Sequence, residues 1–266
     1  MTRIAPDALY PVGTVTARVL SESVLLLGGP RALLMQLAHP AVAAGVADHS
    51  GFDADPFGRL VRTLDAMNTI AFGAPGDADA VLDHLRRVHS GVKGTTVGGD
   101  AYEANDPDLL FWVHATLVDT VLVVERRYLG YLDEAGQDQY YEESKQMATR
   151  FEIPDGLVPP DRRSFESFMD EQARTLEVST TARSLARAIL HPRVGPIPPP
   201  AWEPLRLVTV DMLPRPIREG YGLGWDRRRK RLVQTSQAVS RLVLPRIPPP
   251  VRNLPTATRR GLARAG

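Results

Sequence analysis

Apolar residues recur along this chain at intervals of three and four, the spacing that gathers them on one face of a helix. The segment "TARVLSESVLLL" shows it first and stops at Gly28-Gly29, a pair suited to a helix C-terminus. Pro30 and Pro40 each open a further predicted helix, "PRALLMQLAH" and "PAVAAGVADHS", because proline suits a first helical turn. Asp55-Pro56 opens the next, with Asp55 as N-cap and Gly73 as terminator. "GDADAVLDHLRRVHSGVKG" begins acidic and ends basic, as the helix dipole favours. The longest predicted helix has Asp106 as N-cap, Pro107 as first residue and Gly130 as stop. Further helical stretches fall at about 138–152, 163–177, 180–190, 201–212 and 226–243. No stretch alternates with period two for long enough to predict a strand, and proline clusters break up the C-terminal half. The pattern predicts an all-α fold: one multi-helix domain over residues 14–245, after an extension at 1–13 and before a basic, proline-rich tail at 246–266.

Composition narrows the chemistry. The chain has 266 residues, 43% hydrophobic and 24% charged, and no cysteine. Disulfides, thiolate ligands, iron–sulfur clusters and cysteine nucleophiles are therefore excluded. The most apolar stretch, "VLLLGGPRALLMQLAHPAVAAGVA", is interrupted by two glycines, Pro30, Arg31 and His39. A spanning helix needs roughly 20 consecutive apolar residues, so no transmembrane segment is expected. The N-terminus lacks the apolar core of a signal peptide, and the expected location is cytoplasmic. Arginine outnumbers lysine 29 to 3, a usage that fits a GC-rich bacterial genome.

The net charge of +1 conceals an asymmetry: from Asp226 onward eleven basic residues accompany one acidic residue, giving that stretch +10 and the preceding chain −9. A basic tail can bind nucleic acid or an anionic membrane, or it can pack against the acidic body or stay solvated. No aromatic residue follows Trp225, so bases have nothing to stack on, and no nucleic-acid partner is expected.

Six histidines are present, at 39, 49, 84, 89, 114 and 191. His84 and His89 are five apart and diverge by about 140° around a helix, which disfavours a shared metal. Zincin, di-iron, nucleophile-elbow, dinucleotide and P-loop signatures are all missing. Single-histidine chemistry remains, and haem needs one axial histidine, an apolar slot and cations for its propionates. His89 has the right type, with Lys93 four residues on and hence on the same face if the helix continues. It can equally be a capping or core histidine. His114 sits in the apolar "LLFWVHATL" and reads either as a pocket residue or as a buried histidine bonded to a helix carbonyl. His39, before Pro40, either lines the same pocket or caps its own helix. Arg59 and Thr63 share a helix face with Arg62 close by; these either meet an anionic cofactor or form surface ion pairs with Asp55 or Asp65.

The pieces "RLVRT" with "IAFG", "VHSGVKG" and "YEANDPDLLFWVHATL", in this order and spacing, resemble the MpaB-type oxygenase family, which includes the latex-clearing proteins, or rubber oxygenases. The resemblance covers roughly residues 14–240. It implies a globin-like helical core holding haem b, with His89 as the iron ligand and Lys93 as its basic partner; His39 and His114 stay further candidates for the cofactor pocket on their own residue context alone. It also implies that dioxygen is a co-substrate and that the substrate is small and apolar, alkene- or prenyl-bearing. Arg59, Arg62 and Thr63 match a distal arginine, lysine and threonine. Arg62 replaces that lysine, and a guanidinium is a poor metal ligand. The glutamate thought to act as base in rubber oxygenases has no match: Ala43 lies where it is sought, and Glu22 is in an earlier helix. The implied function is a haem-dependent oxygenase; the alternative is a non-catalytic haem or lipophilic-ligand binder of the same fold.

Overall fold

The computed structural model describes residues 4–5, 7–49, 56–192 and 198–253, with the side chains of 56–61, 199 and 249–250 outside the description. The fold is predominantly helical. Its helices are α1 (Val15–Leu20), α2 (Gly29–Ala38), α3 (Pro40–His49), α4 (Pro56–Phe72), α5 (Pro75–Ser90), α6 (Pro107–Val124), α7 (Glu134–Arg150), α8 (Arg162–Thr175), α9 (Thr180–Leu190), α10 (Glu203–Met212), α11 (Arg215–Gly220), α12 (Arg227–Val243) and α13 (Pro249–Arg252). Two three-residue strands, β1 (Lys93–Thr95) and β2 (Ala101–Glu103), pair antiparallel with Lys93 opposite Glu103.

Helix α6 is the axis of the core. Asp106 caps it by accepting from the Asp108 amide, and Pro107 opens it. It widens into a π turn over Glu125–Leu129 and ends at Gly130, where φ is +66°. Helices α2, α7 and α8 pack around it, and α9 lies across α2 and α3. Phe111, Trp112, Ala115, Val118 and Leu122 of α6 are buried with Leu34, Leu37, Tyr140, Phe165 and Leu185. Burying a side chain of this size contributes about 1.5–3 kcal/mol, so this cluster holds the helices in place. Pro107–Leu129 is long and apolar enough to cross a membrane by length and composition, and here it forms the centre of the fold.

The structure departs from the predicted elements. The first helix stops at Leu20, and Ser23–Gly28 is a separate tight helix. The break falls at Glu22, which is 1% exposed and ion-paired with Arg252 at 2.9 Å, while its backbone bridges Asn253. The hairpin β1–β2 and the short α11 were not predicted. The predicted Asp55 cap lies outside the described residues.

Candidate functional site

Helix α5 runs to Ser90, and its last turn carries His89, which is half-buried. His89 lines a cleft with Leu82, Leu85 and Arg86 of α5, Asn105, Leu110 of α6, and Arg150 and Phe151 at the end of α7. The floor is apolar and the walls carry cations. Arg86 pairs with Asp83 at 2.8 Å and with Glu152, and Arg150 pairs with Asp79 at 2.7 Å. The buried Nε of Arg150 has no hydrogen-bond partner. Asn105 donates to the Arg86 carbonyl at 3.2 Å, fixing the wall. The cleft is shallow, with a cavity volume of about 10 Å³.

Leu110 connects this cleft to a second feature. Leu110, Val113, His114, Leu117 and Val121 are all partly buried, and at 100° per residue they fall within one arc of α6 about 100° wide. The opposite face is buried. This face of α6 is thus less completely buried than the other, although Leu110 and Val121 still pack against the core, and His114 is the polar group on it. His114 makes no hydrogen bond among the described residues, and burial pushes its pKa down to about 4 by disfavouring imidazolium.

The other predicted site residues are placed as follows. Lys93 is exposed in β1, beyond the end of α5, so the helical spacing that paired it with His89 does not apply. Its carbonyl accepts from His49 Nε2 at 3.1 Å. Arg86 and Arg150, rather than Lys93, are the cations on the cleft wall. His39 ends α2, half-buried, with its ring 6.4 Å from Trp112 and its buried Nδ1 without a partner. Burial lowers its pKa. Trp112 and His114 point about 160° apart around α6, so His39 sits on a different side of that helix. Arg62 and Thr63 are exposed on α4, and the side chain of Arg59 lies outside the described residues. Among the described residues no cluster of three or more histidine, aspartate or glutamate side chains could hold a metal ion. Arg86 was legible in the sequence, three residues before His89; Arg150, sixty-one residues on, was not.

The described residues thus form a predominantly helical domain in which His89 lines a cleft between α5, α6 and the end of α7. The chain belongs to the family described as ER-bound oxygenase mpaB/B'/Rubber oxygenase, catalytic domain, which it matches over residues 17–243. It is similar to two uncharacterized proteins, Mb2261 of Mycobacterium bovis and Rv2237 of Mycobacterium tuberculosis. Each is 27% identical over 222 residues, covering 79% of this chain and 85% of the relative. No solved structure matches.

Proposed function

We propose that this chain is a haem b-dependent oxygenase that uses dioxygen on a small apolar substrate, alkene- or prenyl-bearing, within a globin-like core. The observation that carries the reading is the His89 cleft, with an apolar floor, two arginines on its wall, and Leu110 of the less tightly buried face of α6 among its lining. Membership of an oxygenase catalytic-domain family supports the reaction class.

The donor set fits haem. His89 offers an imidazole, and Arg86 and Arg150 offer guanidinium groups for two carboxylates. Their present partners are exposed carboxylates, whose surface ion pairs are weak and exchangeable. The cleft as it stands has a cavity volume of about 10 Å³, room for about one water and far below the roughly 300–1,000 Å³ of ligand sites. Haem would therefore require the helices around the cleft to part, with the partly buried face of α6 as the further apolar wall. When bound, the haem iron would supply the oxygen chemistry. The protein's own residues do the rest. His89 would hold the iron, and the aliphatic side chains of α6 exclude water. His114, neutral at physiological pH by its lowered pKa, presents a hydrogen-bonding ring without a charge. Arg62 and Thr63, exposed on α4 as they stand, would with Arg59 offer donors to developing negative charge only where a bound cofactor reaches that helix and excludes water from it.

Ala43 is fully buried in α3 and Glu22 is paired with Arg252. Neither serves as a base, which favours binding without turnover as the second reading. The test is the absorption spectrum of protein expressed with haem supply, oxidised and dithionite-reduced. A Soret band that shifts on reduction and is lost in His89→Ala is the expected result. A normal spectrum in His89→Ala removes His89 from the role, and no Soret band in the wild type overturns the reading. Oxygen uptake with a reductant and candidate alkenes then separates turnover from binding.

A further inference from the structure

Helix α12 packs one narrow face on the body. Val233 and Gln237 are buried, Gln237 donates to Asp211 at 3.0 Å, and Ser240 donates to the Tyr128 carbonyl at 3.1 Å. The opposite face is uncovered and apolar along its length. Leu232 is 57% exposed, Val239 53%, Leu242 59% and Val243 44%. At 100° per residue these four fall within an arc of about 100°, centred well away from the buried side.

Cations frame that stripe. Arg228 lies on the same arc at its N-terminal end, Arg231 and Arg227 lie on one flank, and Lys230 and Arg241 are close to the back; all five are exposed, as is Arg246 in the short turn that follows the helix. Among the described residues, Arg227, Arg228, Lys230 and Arg231 have no carboxylate within ion-pair distance. No acidic residue occurs after Asp226. The run from Arg227 to Arg231 also sits at the N-terminus of α12, where the helix dipole disfavours positive charge; only the capping Asp226 opposes it. An external anionic surface would relieve this arrangement.

We propose that the outer face of α12 docks on an anionic lipid bilayer, with the aliphatic stripe in the headgroup–acyl boundary and the arginines reaching lipid phosphates. An amphipathic helix with cations beside an aliphatic face is the form that lies in a membrane interface, and long arginine side chains keep their heads in the polar layer while their stems cover apolar surface. The chemistry disfavours other occupants. A nucleic acid would find no aromatic side chain on this face, and the same face of a second copy would meet its own positive charge. The proposal is independent of the oxygenase reading, because α12 carries no residue of the His89 cleft.

The test is co-sedimentation of the full chain with vesicles of phosphatidylcholine and with vesicles of equal parts phosphatidylcholine and phosphatidylglycerol. The mixed vesicles are expected to bind at least roughly tenfold more tightly, with binding weakened by salt. Leu232→Glu/Val239→Glu/Leu242→Glu alters only exposed positions; it should keep the wild-type circular dichroism and melting curve and lose vesicle binding. Arg227→Gln/Arg228→Gln/Lys230→Gln/Arg231→Gln should lose the preference for phosphatidylglycerol. Equal binding to both vesicle types, or no binding at all, overturns the proposal. So does wild-type binding by the glutamate variant, which would assign the lipid contact to another part of the chain. Self-association of the wild type that the glutamate variant abolishes, without vesicle binding, would make the face an interface between copies and would likewise overturn it.

Discussion

Glu125 is 1% exposed at the end of α6. Its Oε1 accepts from the amides of Tyr131 and Leu132, both at 2.9 Å, while its buried Oε2 has no partner. Burial raises its pKa despite those two bonds and despite Arg126 and Arg18 nearby. Glu22, Tyr131 and Arg252 complete the surrounding cluster, and Glu22 is raised for the same reason. The sign follows directly. A carboxylate with a raised folded pKa favours folding when protonated, so its contribution is full below the unfolded value and is lost as pH rises through the folded one. Glu125→Gln keeps the acceptor for both amides and removes the buried charge. Its stability relative to wild type should therefore improve as pH rises from 4 to 7, where the wild-type carboxyl must either ionise in a buried site or hold its proton. Urea unfolding at several pH values measures it. A difference that stays flat with pH would mean that the ionised carboxylate is tolerated as well as the neutral one.

At the scale of elements, the glycine that ends α6 carries the clearest requirement. Gly130 holds φ +66° and donates to the Glu125 carbonyl at 2.7 Å, and a Cβ there would lie 2.9 Å from Arg241 Cδ. Gly130→Ala should lower stability by about 1–2 kcal/mol, from left-handed backbone strain plus displacement of Arg241, read as a drop in Tm. A sequence shows such a stop plainly, and the same holds for Asp106-Pro107 at the other end and for the Pro40 start of α3. What escaped the sequence depends on distant partners. The helix after Val15 breaks because Glu22 meets Arg252, far along the chain. The β1–β2 hairpin is too short for a period-two signal and is fixed by Tyr102, whose hydroxyl donates to Asp48 at 2.7 Å. The six-residue α11 lies just after a proline in "LPRPIREG". The site divides the same way. His89 and His114 stand out in the sequence, but Arg150 and Phe151 join the cleft only because the end of α7 packs beside α5 and α6.

Over the whole molecule, the question is whether the less tightly buried face of α6 is working space or incidental packing. Val113 and Leu117 are only partly buried and lie outside the buried clusters, although α6 is the core helix. Leu122, on the opposite face, is fully buried. The two leucines of one helix therefore give an internal comparison that needs no knowledge of the substrate. Leu122→Trp forces a large side chain into close-packed interior and should destabilise by about 1–3 kcal/mol or more. Leu117→Trp enters the looser packing of its own face and should change urea-unfolding stability by less than about 1 kcal/mol. If the face is where an apolar ligand lies, Leu117→Trp should retain the Soret band that depends on His89 and lose oxygen uptake with alkenes. A Leu117→Trp protein as unstable as Leu122→Trp would show that the face is closed in solution. Stability kept together with full uptake would place the substrate elsewhere along the His89 cleft. The arrangement favours the first outcome: Val113, His114 and Leu117 are less completely buried than Leu122 on the opposite face, so this side of α6 has the looser packing.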